Sequence, residues 1–424
     1  MAVAAEAQFP PIGCRGAVKQ LTPDGNSGQI GFNRQYFLRS FPLGNGNMCC
    51  PSRPSKLQDR GAGRRVARAV LPALVFVLAA VGSSPAFAQG AFVPAPAPTP
   101  VPTPMDINSE IASGTQVLDL GSSFLERLGN QAAGGFGRAL RNNPGGGGAS
   151  EAVEGPRFRN WGEVYGLSLT TGPQGDFLGD RRQTLGGVVG FGAGIAPGVN
   201  VGFSAGQSHT AIDVPLAVQS ATIDLTQLGF NASVDKGPWT WAMALVYGFG
   251  NVGSSRDTGQ GLAVAGYGTQ LYGALTELNY YWGLQQSRVV PKLDLEYVRA
   301  TTGAFQEAGG LNPVSATGAT LERARVMVGA EIGHYWIFDR NVLDLSAYGK
   351  FVDNFSQSFS SVVVSLGPQA IAVQGILESQ YGADAGASAS LSLGNMTRIY
   401  LNYDGKFRSA LQSHQGTLGF EARW

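Results

Sequence analysis

Ser413 and His414 are neighbours near the end of the chain, and Asp404 lies shortly before them. A nucleophile, a base and a carboxylate so close together invite a hydrolytic triad. The residues around them alternate apolar and polar, which is a strand pattern, and adjacent residues on a strand point to opposite faces. Ser413 is therefore not expected to reach His414, and no catalysis is predicted. No G-x-S-x-G occurs, and Gly172 to Gly179 (GPQGDFLG) reads as a loop, not a phosphate cradle. The histidines are His209, His334 and His414, too few and scattered for a metal cluster. Cys14, Cys49 and Cys50 all precede residue 88, so the body of the chain has no disulfide and no thiolate metal site. No cofactor is expected.

A second set of charges has a regular spacing. Glu277, Arg323, Arg325, Glu331, Asp344, Lys350, Asp384, Arg398 and Asp404 each sit on the polar face of an alternating run. In Arg398 to Arg408, one face is Ile399, Leu401, Tyr403, Gly405 and Phe407, and the other is Arg398, Tyr400, Asn402, Asp404, Lys406 and Arg408. A soluble sandwich would turn such charges to water, whereas a membrane barrel turns them into its lumen.

The elements that must position these residues favour the barrel. Charged residues are only 14% of the chain and glycine is 61 of 424, against ~25% and ~7% in average proteins. From Phe158 to Trp424 there is no long helical pattern, but about twelve alternating segments. Short separators (Lys236 to Pro238, Phe338 to Asn341) take turns with long ones (Gly253 to Val264, Ala304 to Gly318). That is the rhythm of tight periplasmic turns and longer outer loops, at about 22 residues per strand and connection. Trp161, Trp239 and Trp241 open strands, while Trp282, Trp336 and Trp424 close them. With twelve strands all six fall at one rim, joined by Tyr280, Tyr281 and Tyr335, as an aromatic girdle contacting outer-membrane lipid.

Upstream, residues 64–88 read RRVARAVLPALVFVLAAVGSSPAFA. Arg64, Arg65 and Arg68 precede an apolar run shorter than the ~20 residues of a spanning helix. Ala86-Phe87-Ala88 then forms a small-x-small site. Residues 60–88 are thus read as a signal peptide, engaging the Sec translocon and cut after Ala88. Residues 1–59 are an extension without periodicity or a misassigned start. Residues 89–104 hold the alternating tract VPAPAPTPVPTP, expected to be extended polyproline II. Residues 105–129 are predicted as a helix stopped at Gly129, and 130–157 as a linker containing Gly145 to Gly148. The first 88 residues carry ten Lys/Arg and three Asp/Glu, and the rest twenty and twenty-six. A mildly acidic body gives no reason to expect nucleic-acid binding.

The residues Trp161-Gly-Glu-Val-Tyr165-Gly166, Tyr403-Asp404-Gly405 and His414-x-Gly416-x-Leu418-Gly419, the last leading to a terminal aromatic, resemble the translocator domain of autotransporters (type V secretion). Phe124 to Leu128 (FLERL) is similar to the helix that precedes such barrels. The resemblance spans roughly 110–424. It implies an all-β, twelve-stranded antiparallel outer-membrane barrel at 158–424, with the N-terminal helix threaded through the lumen and a passenger upstream. It also implies that Leu418, Phe420 and Trp424 form the signal read by the barrel-assembly machinery, with Ala422 where an aromatic is more usual. Only about 16 residues separate Ala88 from the helix, and chains below ~40 residues rarely fold unaided. A minimal or absent passenger, on a monomeric barrel, is the expectation. A porin-like channel and a surface-exposed adhesive barrel are the competing readings. The inward face of Leu185 to Ile195, carrying Gly186, Gly190, Gly192 and Gly194, is expected to make room for the helix, and Arg127 to find a lumen carboxylate.

If cleavage follows Ala88, the intact mass of the outer-membrane form should correspond to a chain beginning at Gln89. A mass that includes residues 1–88 would reject the cleavage.

Overall fold

The computed structural model describes residues 100–134, 157–394 and 396–424. The signal site at Ala86 and Ala88, the extension 1–59, most of the Pro-rich tract and the Gly145–Gly148 linker lie outside the described residues.

Twelve strands form one closed antiparallel sheet. They are β1 (Phe158–Thr171), β2 (Asp180–Ala196), β3 (Val199–Val214), β4 (Gln219–Lys236), β5 (Trp239–Asp257) and β6 (Leu262–Tyr280, continued by Trp282–Leu284), followed by β7 (Ser287–Thr302), β8 (Ala319–Phe338), β9 (Asn341–Phe359), β10 (Tyr381–Leu393), β11 (Thr397–Phe407) and β12 (Leu411–Arg423). Each pairs with its chain neighbour, and β12 pairs with β1 from Arg159↔Arg423 to Thr171↔Leu411. At the rim the amide of Phe158 donates to the carbonyl of Trp424 and the amide of Trp424 to that of Phe158, both at 3.0 Å. The terminal tryptophan is thus the last rung of the seam, and its ring lies 6.4 Å from that of Phe158.

The strands are longer than the hydropathy pattern indicated. Gly253 to Val264 is expected from the sequence as a long loop, yet Gly253 to Asp257 pairs with Leu262 to Gly266, leaving only residues 258–261 between strands. A tilted strand crosses the bilayer in ~9–11 residues. Beyond that height both faces can be polar, so alternation fades while backbone pairing continues. The loops 303–318 and 360–380 add a small four-stranded sheet built from Phe305–Gln306, Ser315–Ala316, Val362–Leu366 and Gln369–Val373.

The helix α1 runs from Asn108 to Gly134, after a 3-10 turn at Pro104–Ile107. Thr103 and Asp106 cap that turn reciprocally, with the amide of Thr103 donating to Asp106 Oδ2 at 2.7 Å. Gly129 does not stop the helix. A Cβ there would lie 2.8 Å from Leu275, so the glycine is a contact point with the wall. Gly114 and Gly121 serve likewise against Leu321 and Leu271. No described helix is long and apolar enough to cross a membrane, and α1 is instead enclosed by the barrel.

Removing Trp424 should deplete the heat-modifiable, folded fraction of the protein in outer-membrane preparations, because two seam hydrogen bonds and the ring contact are lost together. Unchanged yield and mobility would show that the seam closes without this rung.

Candidate functional site

The lumen that α1 fills has two unlike halves. Between Asp235 at the turn end and Arg256 at the loop end, no charged side chain of β3, β4 or β5 faces inward. That arc meets the apolar side of the helix. Val117, Phe124, Leu125 and Leu128 are buried with Ile223, Leu225, Val246, Leu271, Leu275 and Val298. Each large apolar side chain so buried contributes ~1.5–3 kcal/mol, so the seat of α1 is a hydrophobic core. Close approach comes from Gly206, Gly229 and Gly273, where a Cβ would fall within 3.0 Å of Phe124, Leu128 or Leu125. The glycines expected to do this on β2 serve β1 instead. Gly186, Gly190 and Gly192 lie under Tyr165, Trp161 and Arg159, and Gly194 faces Asn200. Large inward residues on the first strand had already claimed that space.

The opposite half, β7 to β12 with β1 and β2, is a charged wall. Asp119 and Glu126 stand seven residues apart, on one face of α1. Asp119 meets Arg323 at 2.9 Å and Arg182 at 3.6 Å. Glu126 accepts from Lys406 Nζ at 3.0 Å and pairs with Arg325. Arg325 also reaches Glu296 at 2.9 Å, Lys350 pairs with Asp294 at 2.6 Å, and Arg408 with Asp384 at 2.8 Å. Nearer the turn end, Arg288 bridges Glu331 and Asp344 at 3.0 and 2.6 Å, and Lys292 lies 3.7 Å from Glu277. Arg398 is 3.9 Å from Glu421, and Asp404 accepts from the Tyr348 hydroxyl at 2.7 Å. All nine charged residues singled out in the sequence face inward. Arg127 does meet a carboxylate: Glu163 at 2.5 Å, with the guanidinium 4.1 Å above the Tyr165 ring. Gln131 and the Tyr400 hydroxyl donate to the same carboxylate at 2.8 and 2.7 Å.

At the loop end Arg256 ties the start of the helical segment to an outer loop, reaching Asp106 at 3.1 Å and Glu307 at 2.6 Å. Just inside, Glu110 lies near Ser254, well past the ~10 residues of β5 needed to cross the bilayer. Burial pushes its carboxyl up to about 7, against a hydrogen bond from Ser254.

Ser413 is buried and faces inward, while His414 faces outward and shares a 2.8 Å hydrogen bond with the Tyr403 hydroxyl. The two do not partner. Trp239, Trp241, Trp282, Trp336 and Trp424 project outward at one rim, as do Leu418 and Phe420 on β12. Trp161 does not. It shares the inward face of β1 with Glu163 and Tyr165 and is only 4% exposed, its indole filling the space over Gly190. Tyr335 is likewise inward and buried. Strand parity decides both cases, and an aromatic at a rim height is not thereby on the outer face.

A closed twelve-stranded sheet around a buried helix agrees with the family comparison, in which the model described as the autotransporter beta-domain matches residues 160–404. The chain belongs to this family. Among solved structures, the translocator domain of autotransporter NalP from Neisseria meningitidis is similar at a TM-score of 0.58 and 15% identity, covering 75% of this chain and 99% of that one. The beta domain of the Bordetella autotransporter BrkA is 15% identical over 63% of this chain and all of that one, at a TM-score of 0.48. Curated protein sequences contain no match. The autotransporter barrel places the protein in the outer membrane of a Gram-negative cell.

Several members of the charged wall escaped the sequence reading: Glu163, Arg182, Arg288, Lys292, Asp294, Glu296 and the helix residue Asp119. Most were legible by parity, since Arg288, Lys292, Asp294 and Glu296 share one face of β7. The pairing of Asp119 and Glu126 with arginines on distant strands required the rotation of α1 in its seat.

Glu163→Ala should lower the unfolding temperature of the barrel, because it strands the buried Arg127 charge at a cost of ~3–5 kcal/mol. Arg127→Met combined with Glu163→Leu should recover most of the loss. Thermal unfolding followed by gel mobility checks both, and an unaltered midpoint for Glu163→Ala would show that the pair does not stabilise the fold.

Proposed function

We propose that this autotransporter barrel carries the residues upstream of α1 to the cell surface and then remains closed around the helix. The direction of α1 supports this reading. Its first residues meet Arg256 and the outer loop at Glu307, while Gln131 near its end meets Arg159 at the start of β1. Residues 100–103, which precede the helical segment, therefore stand at the loop end, opposite the tryptophan rim. The cargo in this reading is the Pro-rich segment itself. The route is entry through the Sec translocon and insertion of a monomer by the barrel-assembly machinery, which reads the outward Leu418, Phe420 and Trp424. The outward tryptophans at the other girdle positions hold the rim in lipid.

An epitope placed immediately before Pro100 tests the reading. It should bind antibody on intact cells and be removed by added protease. An epitope that is reached only after the outer membrane is permeabilised would overturn surface delivery.

A further inference from the structure

The two halves of the lumen are closed by different means. On the apolar side α1 packs against the wall along its length. On the charged side, toward the tryptophan rim, a cavity of about 90 Å³ remains beside the helix, lined in part by Ser346, Tyr348, Ser388, Asn402 and Asp404. Ser346, Ser388 and Asn402 are only half-buried although they face inward. Toward the loop end the same half is shut. Arg323 and Arg408 keep only 2% and 1% of their side chains exposed.

The residues that cover them come from the loop between β9 and β10. Glu378 turns inward and pairs with both Arg323 and Arg408, the latter at 3.4 Å. Its main chain is held on both sides by Gln357: the amide of Glu378 donates to Gln357 Oε1 at 3.1 Å, and Gln357 Nε2 donates to the carbonyl of Glu378 at 3.1 Å. Asn354 Nδ2 donates to the carbonyl of Ser379 at 2.9 Å, and Gln374 Nε2 to that of Phe359 at 2.6 Å. Gly375 lies so close to the Phe359 ring that a Cβ would fall 2.2 Å from it. This part of the loop is therefore a fitted cover fastened to β9, with its one carboxylate placed over two buried cations.

We propose that residues 374–380 are the outer gate of a polar path for small hydrated ions, running between α1 and β8–β12, and that opening the Glu378 clip admits ions while α1 stays seated. The ion pairs of the helix and of the clip meet at Arg323, which also holds Asp119; Ile376 of the loop packs on the apolar cluster that includes Ile111 and Leu118, while Phe124, Leu125 and Leu128, deeper in the lumen, are held by the wall at Gly206, Gly229 and Gly273. Loss of Glu378 leaves Arg323 and Arg408 one carboxylate short, so the opened path favours anions. This inference rests on lumen geometry and stands apart from whether upstream residues reach the surface.

The test is single-channel recording of the purified full barrel in planar bilayers, beside a variant lacking residues 108–134 as the fully open reference. Glu378→Gln should raise conductance several-fold over the parent yet stay below the helix deletion, and its reversal potential in a KCl gradient should shift toward chloride. Gln357→Ala leaves every charge in place and should raise the frequency of openings, which keeps the proposal falsifiable if Glu378→Gln does not fold. The mature body lacks cysteine, so Leu125→Cys in each background reports the helix, and it should stay unreactive to a thiol reagent. Parental conductance in the folded variants would overturn the gate. Raised conductance with a reactive cysteine would overturn it too, because the helix would then have left its seat.

Discussion

Hydrocarbon offers peptide groups no hydrogen-bond partner, so a sheet placed in it cannot keep an edge. Everything else here depends on the join that removes that edge, β1 against β12. The join fixes an even number of strands and brings the last residue back to the rim where β1 begins. It also fixes which side chains turn inward on every strand between, because neighbours in register share a face. Only with that settled do residues as far apart as Glu126 and Lys406, or Asp119 and Arg182, come within reach.

Closure leaves an interior that water or protein must fill, and this chain divides the task. One arc of wall offers an apolar surface with three glycines at the points of closest approach, and the helix settles there by burial. The other arc offers charges of both signs. A buried ion pair is weak support for stability by itself, but removing one member is costly. The wall therefore contributes orientation more than adhesion, since α1 can be rotated only by breaking Asp119 and Glu126 away from their arginines.

Much of this was readable in the residues, and the misreadings have physical causes. Period-two alternation gave the strands and the inward set of charges, because the lipid face must be apolar at every other position. It failed above the bilayer, where Gly253 to Asp257 remains strand with no lipid to enforce the pattern. Trp161 was misplaced because tryptophan at a rim reads as lipid-facing, while its parity with Glu163 and Tyr165 points inward. Gly129 read as a helix stop because sequence reports propensity and not the neighbour that wants the space. The partners of Asp119 and Glu126 depend on how α1 is turned, which no local pattern records.

The outward tryptophans stand at one rim only, and the strands rise well past the ~9–11 residues that cross a bilayer. A second band of outward aromatics marks the other level: Tyr247 and Phe249 on β5, Tyr272 on β6, Phe351 on β9 and Phe407 on β11 are all exposed, eight to ten residues along their strands from the tryptophan rim. That interval matches the span of a tilted strand across the bilayer. A membrane thicker or thinner than the interval strains both bands at once. The stretch of wall between the two aromatic rings is thus a gauge of the membrane it fits, and the strand above the upper ring stands in water.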